Sequence, residues 1–197
     1  MALQQYRAFL LIVTAVLALF FASPALEQLV LFPQTTFFSE LSIFGPYNNA
    51  TYVSNVTSGE TYRFCLDVSN HLGSCAYYVI EPKFRSENQS APDSFNHTNS
   101  DLPSLSDITV FAADNQTSQI IVDVSLQFTA DGNPAQLTMQ SISINGATIT
   151  DSTQIAWNTA KKGFFGNLFF ELWLFNDTTN ALQYHQRFVS LWIKMNP

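Results

Sequence analysis

Residues Gln119–Phe128 read QIIVDVSLQF. Ile120, Val122, Val124, Leu126 and Phe128 alternate with Ile121, Asp123, Ser125 and Gln127. A strand turns successive side chains to opposite faces, so a period of two marks a half-buried β-strand. The same alternation recurs in Thr61–Ser69, where Tyr62, Phe64, Leu66 and Val68 oppose Arg63, Cys65, Asp67 and Ser69. Shorter segments at Leu41–Phe44, Cys75–Ile80, Ile108–Ala112 and Ala135–Ile144 read as further strands. Asn145-Gly146 is a tight hairpin turn into ATIT. NLFFELWLF, Asn167–Phe175, and the segment from Gln183 to Lys194 complete the set.

Seven or eight short strands separated by turns predict an all-β domain. The expected form is a two-sheet β-sandwich, immunoglobulin-like in general architecture. Phe164, Phe165, Phe169, Phe170, Trp173, Phe175, Phe188 and Trp192 are expected to fill its core. DGNP, Asp131–Pro134, reads as a turn, and Asp151–Lys162 leaves room for a helical turn. Lys83–Asp107 is polar and turn-rich, so it reads as a long, mobile loop or insertion.

The start of the chain differs. Phe9–Ala25 reads FLLIVTAVLALFFASPA, seventeen residues without a charge and preceded by Arg7. A spanning helix needs about 20 apolar residues, with about 17 as a lower bound. The segment therefore reads as a retained membrane anchor, with a signal peptide cleaved after Ala25 as the alternative. The expected division is residues 1–32 as anchor or signal region and 33–197 as an extracytoplasmic domain with a polar insertion near 83–107. Arg7 keeps the short leading segment in the cytoplasm and sends the rest outside. Ala15 and Ala18, three apart, allow partner helices to approach closely.

Past the apolar segment the chain carries all fifteen acidic side chains and seven of the eight basic ones. That balance argues against nucleic acid or an anionic bilayer surface as partner. Six N-x-S/T acceptors, at Asn49, Asn55, Asn88, Asn96, Asn115 and Asn176, favour an exported, glycan-bearing surface.

Motifs for chemistry are sparse. His71, His97 and His185 are far apart and fall in no metal-ligand pattern. No nucleophile elbow, P-loop or dinucleotide fingerprint occurs. The expectation is a non-enzyme without a cofactor. The two cysteines, Cys65 and Cys75, lie in YRFCLDVSNHLGSCAYYV, residues 62–79. With Asp67 and His71 between them, a metal site, a redox pair or a stapled hairpin all fit the spacing. An exported compartment favours the disulfide. Pairing Asp67 with Gly73 across a hairpin sets the cysteines opposite each other, and the closed loop is worth about 2–3 kcal/mol.

The segment VTSGETYRFCLDVSNHLGSCAYYV resembles part of DUF1616, a family of unknown function in archaeal membrane proteins. Phe38–Pro46, Thr57–Glu60, the Asn70-His71 turn, Phe169–Phe175 and Arg187–Lys194 carry the resemblance. The chain departs from the family in having one apolar span rather than several. It also has Leu72 where an acidic residue is usual, and both cysteines fall outside the family pattern. The resemblance implies an archaeal envelope protein with an extracytoplasmic β-domain, and it carries no activity. The expected role is a non-catalytic, membrane-anchored domain, a structural or accessory subunit of a cell-envelope or membrane complex. Its expected partners are membrane lipid and other envelope proteins. The alternative is an extracellular ligand- or glycan-binding module, which predicts a concave patch of Tyr, Trp and Asn near the insertion.

Overall fold

The computed structural model describes residues 6–7, 9–18, 21, 37–49, 53–130 and 135–197. The chain divides into two compact units, Met1–Phe37 and Phe38–Pro197. In the first unit every described residue from 9 to 18 is helical and exposed, Ala15 and Ala18 included. Among the described residues no helix is long and apolar enough to cross a membrane. The proposed cleavage point after Ala25 and the turn Asp131–Pro134 lie outside the described residues.

The second unit is all-β. Its strands are β1 (Phe38–Phe44), β2 (Asn55–Thr57), β3 (Thr61–His71), β4 (Ala76–Arg85), β5 (Ile108–Ala112) and β6 (Thr117–Ala130). They continue with β7 (Gln136–Ile144), β8 (Ala147–Thr150), β9 (Gln154–Asn158), β10 (Gly163–Asn176) and β11 (Ala181–Asn196). One antiparallel ladder runs β1-β3-β6-β7, with β8 on β7. A second joins β5, β4, β10 and β11, with β2 added to β11 in parallel. Short β9 pairs with β7 on one side and β10 on the other, so the two ladders form one eleven-stranded sheet.

The sequence pattern explains which faces meet. In β3 the apolar stripe Phe64, Leu66 and Val68 is buried, and Arg63 on the other face is exposed. β6 and β7 supply Val122, Val124, Leu126, Leu137, Ile142 and Ile144 to the same core. The second ladder adds Tyr78, Ile80, Phe84, Leu168, Phe170 and Leu172. Both ladders thus share one hydrophobic cluster, and burying that apolar area drives the fold. Asn145-Gly146 is the β7–β8 hairpin turn, with both residues at positive φ.

β10 is buried on both faces. Besides its core face it buries Asn167, Phe169 and Glu171. The cover is the connection between β4 and β5. β4 continues through Arg85, so the connection is residues 86–107, and it is packed rather than loose. An Asp93–Thr98 bridge folds it on itself, Leu105 enters the core, and Ser100 sits against Glu171. Nor is Asp151–Lys162 helical: it holds β9 and a turn.

The stapled hairpin does not form. β3 pairs with β1 and β6, whereas β4 pairs with β5 and β10. Asp67 lies opposite Ser42 and Gln119, not Gly73. The cause is Asn70, which is buried and turns the chain from one ladder to the other. Its Oδ1 accepts from Leu72 N at 3.1 Å, and its Nδ2 donates to Ser74 O at 2.8 Å and Ala112 O at 3.0 Å. Gly73, at φ 75°, completes the corner with its N–H on Asp114 Oδ1. Cys65 and Cys75 are both free thiols, the first buried and the second exposed.

Candidate functional site

The short strand β9 forms the floor of a cleft of about 450 Å³. Gln136 of β7 lies on one side, and Ser86, Glu87 and Asn88 from the start of the 86–107 connection lie on the other. Gln154, Trp157 and Asn158 line it from β9, and Phe165 from β10. The location follows from topology. β9 is the only strand among the described residues that belongs to both ladders, and it makes few ladder bonds to either. The sheet therefore opens there, and the connection's first turn forms the opposite lip.

The lining is hydrogen-bonded among itself. Gln136 Nε2 donates to Gln154 Oε1 at 2.6 Å across β7 and β9. Asn158 Nδ2 donates to Glu87 Oε2 at 2.9 Å, tying β9 to the connection. Asn158 Oδ1 accepts from Lys161 N at 2.9 Å and fixes the turn after β9. Trp157 is 42% exposed, yet its ring is held edge-on to Phe164 with centroids 5.1 Å apart. Its backbone N–H donates to Ala135 O. The nearby cation, Lys161, stands 3.9 Å from Glu87 and 5.1 Å and 5.5 Å over the rings of Trp192 and Phe165.

Behind the connection is a buried charge cluster. Lys83 Nζ meets Glu171 Oε2 at 2.7 Å, Glu81 Oε2 at 3.2 Å and Ser100 O at 3.1 Å. Ser100 N donates to Glu171 Oε1 at 2.7 Å. Both Glu171 oxygens are thereby satisfied, as burial demands. Trp173 Nε1 is buried there without a hydrogen-bond partner among the described residues, and its ring lies 5.9 Å from Lys83 Nζ. Burial, then the negative charge of Glu171, pushes the Tyr184 hydroxyl up to about 12. Burial and Arg187 hold the His185 imidazole below its ordinary value.

The structure disperses the residues singled out by sequence. His71 is not at an exposed turn: it ends β3, stacks on Phe38 at 4.7 Å and shares a hydrogen bond with Asn115 Oδ1. His97 is exposed, and His185 tilts against Tyr78. Among the described residues no three His, Cys, Asp or Glu side chains gather as a metal site. Asn49, Asn55, Asn88, Asn96 and Asn115 are exposed, and Asn176 is half-buried. The expected aromatic core divides. Phe164, Phe169 and Phe170 are buried, Phe165, Trp173 and Phe188 are half-buried, and Phe175 and Trp192 are exposed. Only Asn88 of the named candidates and Phe165 of the aromatic group reach the cleft. Trp157, Gln136, Gln154, Glu87 and Asn158 were not legible as a site. QIAWNT mixes polar and apolar side chains and carries no motif that marks a site.

No protein-family model matches the chain. No curated protein matches it either. Among solved structures it is similar to a β-glucosidase from Listeria innocua in complex with gluconolactone, at 7% identity and a TM-score of 0.40. That likeness covers 82% of this chain and 16% of the glucosidase, so the chain spans a small part of that enzyme's length. A second likeness is to the ASH/PapD-like domain 7 of human CEP192, at 12% identity and a TM-score of 0.26. It covers 79% of this chain and 81% of that one. Both scores are too low to transfer a fold or an activity.

Proposed function

We propose that the chain is a non-catalytic extracytoplasmic domain held at a membrane by its N-terminal helix, and that it serves as a structural or accessory subunit of a cell-envelope complex. The observation that carries this reading is the exposure of Phe9, Leu10, Leu11, Ile12, Val13, Val16 and Leu17 on one helix. A helix apolar all round is stable only when lipid or partner helices cover it. Membrane lipid and envelope proteins are the partners this implies. Ala15 and Ala18 offer the small positions for helix contact. The exposure of five of the six glycosylation acceptors supports an outward-facing domain. An archaeal envelope is the setting the family resemblance suggests. We read the curled sheet as a two-layer, immunoglobulin-like sandwich, on the strength of one core shared by two ladders.

Membrane extraction followed by intact mass spectrometry tests the proposal. The expected result is a chain that resists alkaline carbonate, keeps residues before Leu26 and carries glycan mass. Recovery from the soluble fraction as a lone chain, full-length and without glycan, sinks it.

A further inference from the structure

We propose that the free edge of β5 is a docking site for an extended strand of a partner protein, apolar in its middle and carrying lysine or arginine at both ends. β5 pairs with β4 alone. In an antiparallel ladder, successive residues turn their N–H and C=O groups to alternate sides. Pro82 O accepts from Leu105 N on the β5 side of β4, so the even-numbered residues of β4 bond β5. Their partners Ile108, Val110 and Ala112 face β4, and Thr109 and Phe111 turn their backbone groups outward. The far side agrees. Lys194 N donates to Ser54 O beside β2, so the odd-numbered residues of β11 face β10, and the registers leave the odd-numbered residues of β4 to β10. Among the described residues, nothing bonds the outward groups of Thr109 and Phe111.

The edge is built to receive a strand. No lysine, proline or bulge interrupts ITVFA, so the usual guards of an edge are missing. Val110 and Ala112 are buried, which fixes the strand before a partner arrives. On the outer face Phe111 is 66% exposed and lies opposite Tyr77, whose ring stands edge-on to Phe175. A partner strand would take the four free backbone groups and cover Phe111 with a side chain of its own. The other edges offer less. β2 has three residues, β8 has four and no buried side chain, and β1 gives its Ser39 carbonyl to Arg187.

Charge chooses the occupant. Asp107 precedes β5 and Asp114 follows it, and both are exposed. No lysine or arginine occurs between Arg85 and Lys161. A second copy paired about Val110 would bring Asp107 of each chain beside Asp114 of the other, between chains that each carry a net charge of -7. The same two carboxylates attract a strand with a cation at each end. This names the kind of partner within the accessory-subunit reading and rests on that reading for the partner's existence. The geometry of the edge does not depend on the membrane.

A peptide titration tests the inference. Full-length chain in neutral detergent is titrated with the synthetic peptide Lys-Arg-Val-Thr-Val-Tyr-Val-Arg-Lys, and with a counterpart in which glutamate replaces every lysine and arginine. Backbone amide resonances are followed. The expected result is a saturable shift at Thr109 and Phe111 with the basic peptide, and binding about tenfold weaker or more for the acidic one. Asp107→Asn with Asp114→Asn should close that gap while keeping the Oδ1 acceptor for Gly73 N. Thr109→Pro removes an outward donor and none that bonds β4, so it should abolish the shifts with the thermal midpoint unchanged. Phe111→Lys, at an exposed side chain, should weaken the basic peptide by a similar factor and decides the matter if the proline variant unfolds. Absence of shifts with either peptide, or equal binding of both, overturns the inference. So does a concentration-dependent dimer whose contacts map to Thr109 and Phe111. A chain that proves soluble and unanchored yet binds the basic peptide keeps this edge and loses the membrane reading.

Discussion

Two ion pairs in this domain close to the same 2.7 Å and differ in what surrounds them. Arg63 and Asp123 face each other across β3 and β6, with side chains 53% and 35% exposed. Lys83 and Glu171 sit on β4 and β10 at 4% and 0%. The first pair lies on an open sheet face, where water and salt screen the attraction and the net gain is small. The second lies under the 86–107 connection, where each charge has lost its hydration. It is tolerated because Glu81 and Ser100 complete the shell around it. Distance therefore says little about what a charged pair contributes; the cover decides it.

The largest expected effect comes from breaking the covered pair. Glu171→Ala leaves Lys83 buried beside only Glu81 and the Ser100 carbonyl, and should destabilise the domain by about 3–5 kcal/mol. Asp123→Ala, on the open face, should leave the thermal midpoint nearly unchanged. Replacing both members of the covered pair, Lys83→Met with Glu171→Leu, should recover part of the loss, because the two fully buried charges are gone and only the partly exposed Glu81 loses its partner. Thermal or urea unfolding of the variants side by side checks all of this. Equal effects for Glu171→Ala and Asp123→Ala would mean that the connection does not exclude water.

The same contrast appears in packing. β10 has neighbours on both faces and little slack. A Cβ added at Gly166 would meet Phe84 Cζ at 2.3 Å and Cε2 at 2.7 Å. Phe84 is itself buried, so it has little room to swing away. Gly166→Ala should destabilise by roughly 1–3 kcal/mol, as overpacking does. Ile121 stands on the open face of β6 and is 54% exposed. Its change to Ala should cost well under that. The comparison weakens if chemical denaturation finds the two variants equal.

How much of this could be read from the sequence differs between the two faces. The alternation in Gln119–Phe128 and Thr61–Ser69 gave the strands of the open face, because one-sided burial writes its period directly into the chain. In NLFFELWLF the period disappears, since both sides are covered. The strand was still legible, but Glu171 and Asn167 gave no sign that they would be buried. The Cys65–Cys75 hairpin failed for a related reason. Asn70 reads as an ordinary turn residue, and only the structure reveals that its side chain redirects the backbone into the second ladder. The cleft was invisible because Gln136, Glu87 and Trp157 come from three separate segments. Only the pairing of β9 with both ladders brings those segments together.

The smallest expected effect tests how far the covered charge reaches. Tyr184 lies opposite Trp173 on β11, and its hydroxyl is pushed up to about 12, first by burial and then by Glu171. Below pH 10, the ordinary tyrosine value, the group is neutral whether the chain is folded or not, so its contribution is fully present. Between pH 10 and about 12 the unfolded chain ionises while the folded one does not, and stability falls as pH rises. Tyr184→Phe should flatten that decline, leaving the part due to Tyr78, whose hydroxyl burial also raises. Glu171→Gln should bring the Tyr184 titration part of the way down, not back to the ordinary value, because burial is the larger cause. Ultraviolet titration of phenolate, read beside unfolding midpoints, measures both. An unchanged Tyr184 titration in Glu171→Gln would show that the buried carboxylate is screened as thoroughly as Asp123 on the open face. The cover would then matter for packing and not for charge.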